Sequence, residues 1–155
     1  MNLKSILLFL SFGLLLAACS DEGENNLAPG TAAYTVVGDT TYTVAGTATV
    51  LFVGDTLAGV TISSSTGVVL AVNIKGDNVG SKGTYSVNNN GVTERGQSNT
   101  NLQDGSNTAY SGINGTVRID KGSTSDFQGE IRNMTMENFV GETITVNGSF
   151  RASGN

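Results

Sequence analysis

Hydrophobic and polar residues alternate along most of this chain, with a period of two, from residue 33 onward. Such alternation marks half-buried β-strands. Residues 34–37 and 40–44 flank Gly38-Asp39, a favourable two-residue turn, and together predict a hairpin. A strand is expected at 47–53, a turn at Gly54-Asp55, and a further strand near 57–63. Val68, Leu70, Val72 and Ile74 share one face of the next strand, which Gly76-Asp77-Asn78 ends. A short strand surrounds Tyr85. Residues 88–108 break the rhythm and read as a long polar loop, with one or two irregular strands such as 92–95. Loops of that length are either functional or disordered, and the pattern leaves both open. Alternation returns with Ile113, Gly115, Val117 and Ile119 inward. Phe127, Gly129 and Ile131 follow; the parity then switches to Met134 and Met136, predicting a bulge near Asn133. The last strand turns Ile144, Val146, Gly148 and Phe150 inward. No segment carries a sustained helical period. The expectation is an all-β domain of nine or ten short antiparallel strands, a β-sandwich or a barrel-like meander, with the sandwich favoured.

The first twenty residues follow another rule. Lys4 precedes an apolar run, Ile6 to Ala18, that is too short for a bilayer core needing about 20 helical residues. It suits a secretory signal peptide. The run ends in Leu16-Ala17-Ala18-Cys19, which resembles the bacterial lipobox at all four positions. The resemblance implies diacylglycerol on the Cys19 sulfur, cleavage between Ala18 and Cys19, and acylation of the new amine with a fatty chain such as palmitate. Two or three chains give stable anchoring, at about 0.8 kcal/mol per buried methylene. The chain then divides into a signal peptide (1–18), an acylated cysteine with an acidic tether (19–32) and one all-β domain (33–152). The tether is too polar to fold alone and would reach roughly 20 Å.

Composition narrows the function. Without Lys4, seven basic side chains face thirteen acidic ones, a charge of −6, and no basic cluster exists. That disfavours nucleic acid as a partner. The single cysteine is committed to lipid, so no internal disulfide forms. There is no histidine, which removes His-based triads and the commonest transition-metal ligand. No metal site, cofactor or catalytic residue is expected. Asp39, Asp55, Asp77 and Asp104 each neighbour a glycine, which turn formation explains. Glu130, Glu137 and Glu142 suit solvated strand positions. Tyr34, Tyr42, Tyr85 and Tyr110 suit cross-strand packing better than a sugar-stacking platform.

Several phrases in order form a pattern: YTVVGDTTY at 34–42, Gly83-Thr84-Tyr85, NGTVRI at 114–119, FQGEI at 127–131 and TITVNGSF at 143–150. Together they resemble an uncharacterised domain of small Bacteroidetes outer-membrane lipoproteins. Gly129-Glu130-Ile131 departs from the Gly-Thr-Phe strand of such domains. The resemblance implies a fold and a habitat, and no reaction. Within that habitat, Ser20, Asp21, Glu22 and Glu24 look like an acidic surface-export signal, although a plain solvated linker explains them equally. Asp39-Thr40-Thr41 and Asp55-Thr56-Leu57 resemble a three-residue O-glycosylation acceptor, which makes Thr40 and Thr56 candidate sugar carriers. The expected protein is a non-enzymatic lipoprotein, held in the outer membrane through Cys19 and exposed at the cell surface. It would bind a ligand or an envelope protein through its loops, with 88–108 foremost. The alternatives are a structural envelope-assembly component and, less favoured, a carboxylate-dependent glycan-active enzyme.

Overall fold

The computed structural model describes residues 26–78, 82–92 and 94–154. Cys19, Ala18 and the export-signal candidates Ser20, Asp21, Glu22 and Glu24 lie outside them. Nine strands and no helix are present among the described residues: β1 (Thr31–Val37), β2 (Thr41–Val53), β3 (Leu57–Ser64), β4 (Val69–Lys75), β5 (Gly83–Val87), β6 (Gln97–Gln103), β7 (Ala109–Gly122), β8 (Phe127–Asn138) and β9 (Thr143–Gly154).

They form a closed barrel in the order β1-β2-β3-β4-β6-β5-β7-β8-β9. The seam is made by β1, which pairs with β2 from Thr31↔Thr47 to Val37↔Thr41 and with β9 from Thr31↔Arg151 to Val37↔Thr145. Neighbouring strands are antiparallel except at two short parallel contacts. One joins β5 to β6 (Ser86↔Gln97, Val87↔Ser98), and the other joins β2 to β9 just beyond the start of β1 (Thr49↔Ser153, Val50↔Gly154). At its upper end β7 pairs directly with β6 (Asn101↔Ser111), and lower down it pairs with β5, which fills the gap as β6 and β7 diverge.

The barrel is a filled one, as small barrels are. Inward residues alternate along each strand: Tyr34 and Val36, Val60 and Ile62, Leu70, Val72 and Ile74, Val117 and Ile119, Met134 and Met136 are all buried. At the lower end Phe127 stacks on Phe150 (6.2 Å between centroids) and meets Phe52 edge-on (5.5 Å). Glycines let neighbouring elements come close: a Cβ on Gly148 would lie 2.3 Å from the Cβ of Tyr34, its partner across the seam.

A closed barrel replaces the favoured sandwich. The physical reason lies in strand length. Ala45-Gly46 does not end a strand; β2 runs through it for thirteen residues, and β7, β8 and β9 are twelve to fourteen residues long. Long strands that twist and carry bulges curl a sheet until its edges meet. The expected bulge is present, with Asn133 at φ 47° and a register shift between Ile131 and Met134. A second irregularity, across Gly112, Asn114 and Thr116, turns Ile113 outward instead of inward.

The 88–108 loop is corrected too. Most of its second half is β6, a strand in the barrel wall, and none of Val92, Glu94 and Arg95 lies in a strand. Ser98 and Thr100 face inward and are fully buried beside Leu102. Thr100 Oγ1 donates to the Met134 sulfur (3.1 Å). Two inward hydroxyls erased the hydrophobic alternation that would have marked the strand. Just before β6, Gly96 N–H donates to the Lys75 carbonyl at the lower end of the wall.

The chain enters at the lower end. Gly30 N–H donates to the Arg151 carbonyl, and the Arg151 guanidinium donates to the Leu27 carbonyl (3.2 Å) and to both oxygens of Asp126 (2.8 and 3.2 Å). Residues 27–30, expected as tether, are thus clamped to the barrel. The Gln128 amide and then Arg151 hold the Asp126 carboxyl below the usual range.

Candidate binding cleft

The upper end is built from four strand connections: 38–40, 65–68, 104–108 and 139–142. Three of them are stiffened by a side chain that replaces missing ladder partners; Ser64 Oγ accepts from Thr66 N–H (3.3 Å) and Val68 N–H (3.1 Å) in the β3–β4 turn. Asp104 Oδ1 accepts from Ser106 N–H (2.9 Å), Ser106 Oγ (3.0 Å) and Thr108 N–H (2.8 Å), the arrangement Asp favours in turns. Asn138, nearly fully buried, brackets the β8–β9 turn. Its Oδ1 accepts from Val140 N–H (3.1 Å) and Glu142 N–H (2.9 Å), and its Nδ2 donates to Glu142 Oε2 (2.8 Å). Gly141, at φ +86°, takes the left-handed conformation that closes this turn.

Between these connections the upper end is hollowed. A cleft of about 270 Å³ is lined by Val36, Gly38, Asp39, Thr40, Tyr42, Asp104, Tyr110, Glu142, Thr143 and Ile144. Tyr42 lies two residues from inward Val44, and Tyr110 pairs with buried Leu102 and with Asn138. A second hollow shares Thr40, Tyr42 and Asp104 with the first and extends to Thr66, Val68, Gly105 and Ser106.

The mouth is acidic and aromatic. Burial raises the Tyr42 phenol, and Asp104 and Tyr110 push it further. Burial likewise raises Tyr110, reinforced by Asp104, Glu142 and Asp39 against an opposing hydrogen bond from Asn138. Both phenols therefore stay neutral hydroxyls, able to donate or accept. Two aromatic rings, two phenols and three carboxylates can hold a cation or a hydroxyl-rich ligand. Beneath them Tyr34, 2 % exposed, has a hydroxyl with no hydrogen-bond partner among the described residues, and burial, aided by Tyr42, pushes its pKa to about 12.

Tyr34 yields a prediction with a definite sign. Its folded pKa exceeds the unfolded value of 10, so its contribution is complete below pH 10. Between pH 10 and about 12 the unfolded chain loses a proton that the folded one keeps, and stability falls as pH rises. Tyr34→Phe is expected to remove that share of the alkaline loss. At neutral pH it should leave stability equal or up to about 1 kcal/mol higher, since an orphaned buried hydroxyl disappears. Urea titrations of both chains across the alkaline range measure it; a loss above about 1 kcal/mol at neutral pH would reveal a bonded hydroxyl.

The structure separates the residues singled out in the sequence. Thr40 is exposed on the cleft rim, whereas Thr56 is half-buried in the β2–β3 turn at the opposite end. Asp39 and Asp104 converge in the cleft with Glu142; Asp55 and Asp77 lie at the lower end, where Asp77 pairs with Arg95. Glu130 pairs with Arg132 and lies near Arg118, and Glu137 is exposed. Of the four tyrosines, Tyr42 and Tyr110 line the mouth, Tyr34 fills the core, and Tyr85 covers Gly76 and Gly83 below. Among the described residues no three His, Cys, Asp or Glu side chains are grouped to hold a metal ion. Comparison with protein-family profiles, with characterised proteins and with solved structures gives no match for this chain.

Proposed function

We propose that this chain is a non-catalytic binding domain, moored through Cys19 to the bacterial outer membrane and displayed at the cell surface, in the manner of the Bacteroidetes lipoproteins it resembles. Its ligand seats in the upper cleft rather than on the 88–96 connection. The observation that carries this reading is polarity of layout: the chain enters the barrel at Thr31, and the cleft lies at the other end. Tilted strands of twelve to fourteen residues separate the two ends by roughly 30 Å. A mooring at one end leaves the other facing outward.

One observation favours a second reading, a glycan-active enzyme: three carboxylates share one cleft. Glycoside hydrolysis needs two carboxylates free to donate and accept protons. Here Asp104 Oδ1 and Glu142 Oε2 are engaged in holding their own turns, which favours binding over chemistry.

The test uses the full chain in cells and in vitro. Fatty-acid label is expected on the parent and absent from Cys19→Ala, and protease shaving of whole cells should remove the labelled barrel. A panel of small amines and sugars, screened by saturation-transfer NMR, should yield hits that Tyr42→Ala and Tyr110→Ala abolish and Asn89→Ala keeps. Hits indifferent to both tyrosines, or turnover of a glycan, overturn the reading.

A further inference from the structure

The β8–β9 turn carries the most exposed large apolar side chain of the described residues, Phe139 at 96 %, and its chain neighbour Val140 is 60 % exposed. A mobile tip could fold such side chains down, but this one is pinned by the Asn138 bracket and by the Gly141 N–H to Asn138 carbonyl bond (3.1 Å). Glu142, three residues on, already lines the cleft. The apolar tip is therefore a fixed lip beside the acidic mouth.

Charge is distributed unevenly along the barrel. Seven Lys and Arg lie among the described residues, and none is on the four upper connections. Lower down, acids meet bases: Asp126 with Arg151, Asp120 with Arg118, Glu130 with Arg132, Asp77 with Arg95. Asp39, Asp104 and Glu142 face one cleft with no ion pair among the described residues. The uncompensated negative charge thus gathers at the upper end, next to Phe139. An anionic lipid surface would be repelled by it, and a neutral sugar would leave both the charge and the lip unused.

Resting on the cleft as the binding site, we propose that its occupant is a polypeptide segment that presents a Lys or Arg beside a large aliphatic or aromatic side chain. The cation enters between Tyr42 and Tyr110, facing the three carboxylates, and the neighbouring apolar side chain lies against Phe139. Cation–π attraction and charge pairing act together in such a mouth, and the apolar contact adds selectivity for sequence around the cation.

The experiment is fluorescence anisotropy of the full chain with short labelled peptides. One carries arginine flanked by leucines, one has glutamate in place of the arginine, and one has serines in place of the leucines. The first should bind, and the other two should bind at least about tenfold more weakly. Phe139→Ser is fully exposed and should leave folding intact, yet weaken the arginine–leucine peptide about tenfold and leave the arginine–serine peptide unchanged. Asp39→Asn should weaken both arginine peptides, and added salt should do the same. Equal binding of the glutamate peptide, or indifference to Phe139→Ser, overturns the proposal. So does Phe139-dependent binding to zwitterionic vesicles, or Phe139-dependent self-association in sedimentation, in place of peptide capture. If small amines or sugars still require Tyr42 and Tyr110 while the peptides fail, the cleft stands and only this occupant falls.

Discussion

Phe127→Ala should cost about 3–5 kcal/mol of unfolding free energy, among the largest losses available to a single truncation in this barrel. Phe127 is 1 % exposed and sits between Phe52 and Phe150, so its ring is the shared member of both aromatic contacts at the lower end. Removing it leaves a void walled by two rings that β2 and β9 hold in place. Such walls collapse poorly, and the cost grows with the void. A domain of this size has about 5–15 kcal/mol in total, so the loss is a large share of its stability. Phe127→Leu keeps most of the volume and should cost less than half as much. Equilibrium urea unfolding of the three chains decides the matter; a loss under about 1 kcal/mol for the alanine variant would mean that the lower end repacks freely.

Gly148→Val is the second large effect, expected at about 3 kcal/mol or more. The new Cβ would lie 2.3 Å from the Tyr34 Cβ, and 2.4 Å from both the Tyr34 Cα and the Ala33 carbonyl oxygen. Two of these three atoms are backbone, so no rotamer change relieves the clash. Trimming Tyr34 to alanine in the same chain should not restore stability either, because its Cα and Cβ remain. The site lies on the β1–β9 seam, so thermal melts of the single and double variants report whether that joint can spread. Rescue by Tyr34→Ala would show that the ring, not the main chain, sets the spacing.

Alternation made β1, β3 and β4 readable, because their inward residues are apolar, while Ala45-Gly46 split the single strand β2 into two expected ones. The parity change before Met134 was equally plain, since a bulge shifts every later side chain by one place. β6 was hidden because Ser98 and Thr100 occupy wall positions where a reader expects valine. Closure was hidden for a different reason: it is a property of the first and last strands meeting, and no local window contains both. The cleft suffered the same fate. Read singly, Asp39 and Asp104 are explained by a turn and Glu142 by a solvated strand position, and only the circular strand order brings them together. Phe139-Val140 did leave a signal, two bulky apolar residues directly before a turn glycine. The expected leader lies outside the described residues.

Because its wall meets itself, the barrel offers neighbours almost no unpaired backbone rim. Proteins crowded side by side on a surface risk zipping together through such rims. A closed wall removes that hazard, and leaves contacts with other molecules to side chains rather than to open strand edges.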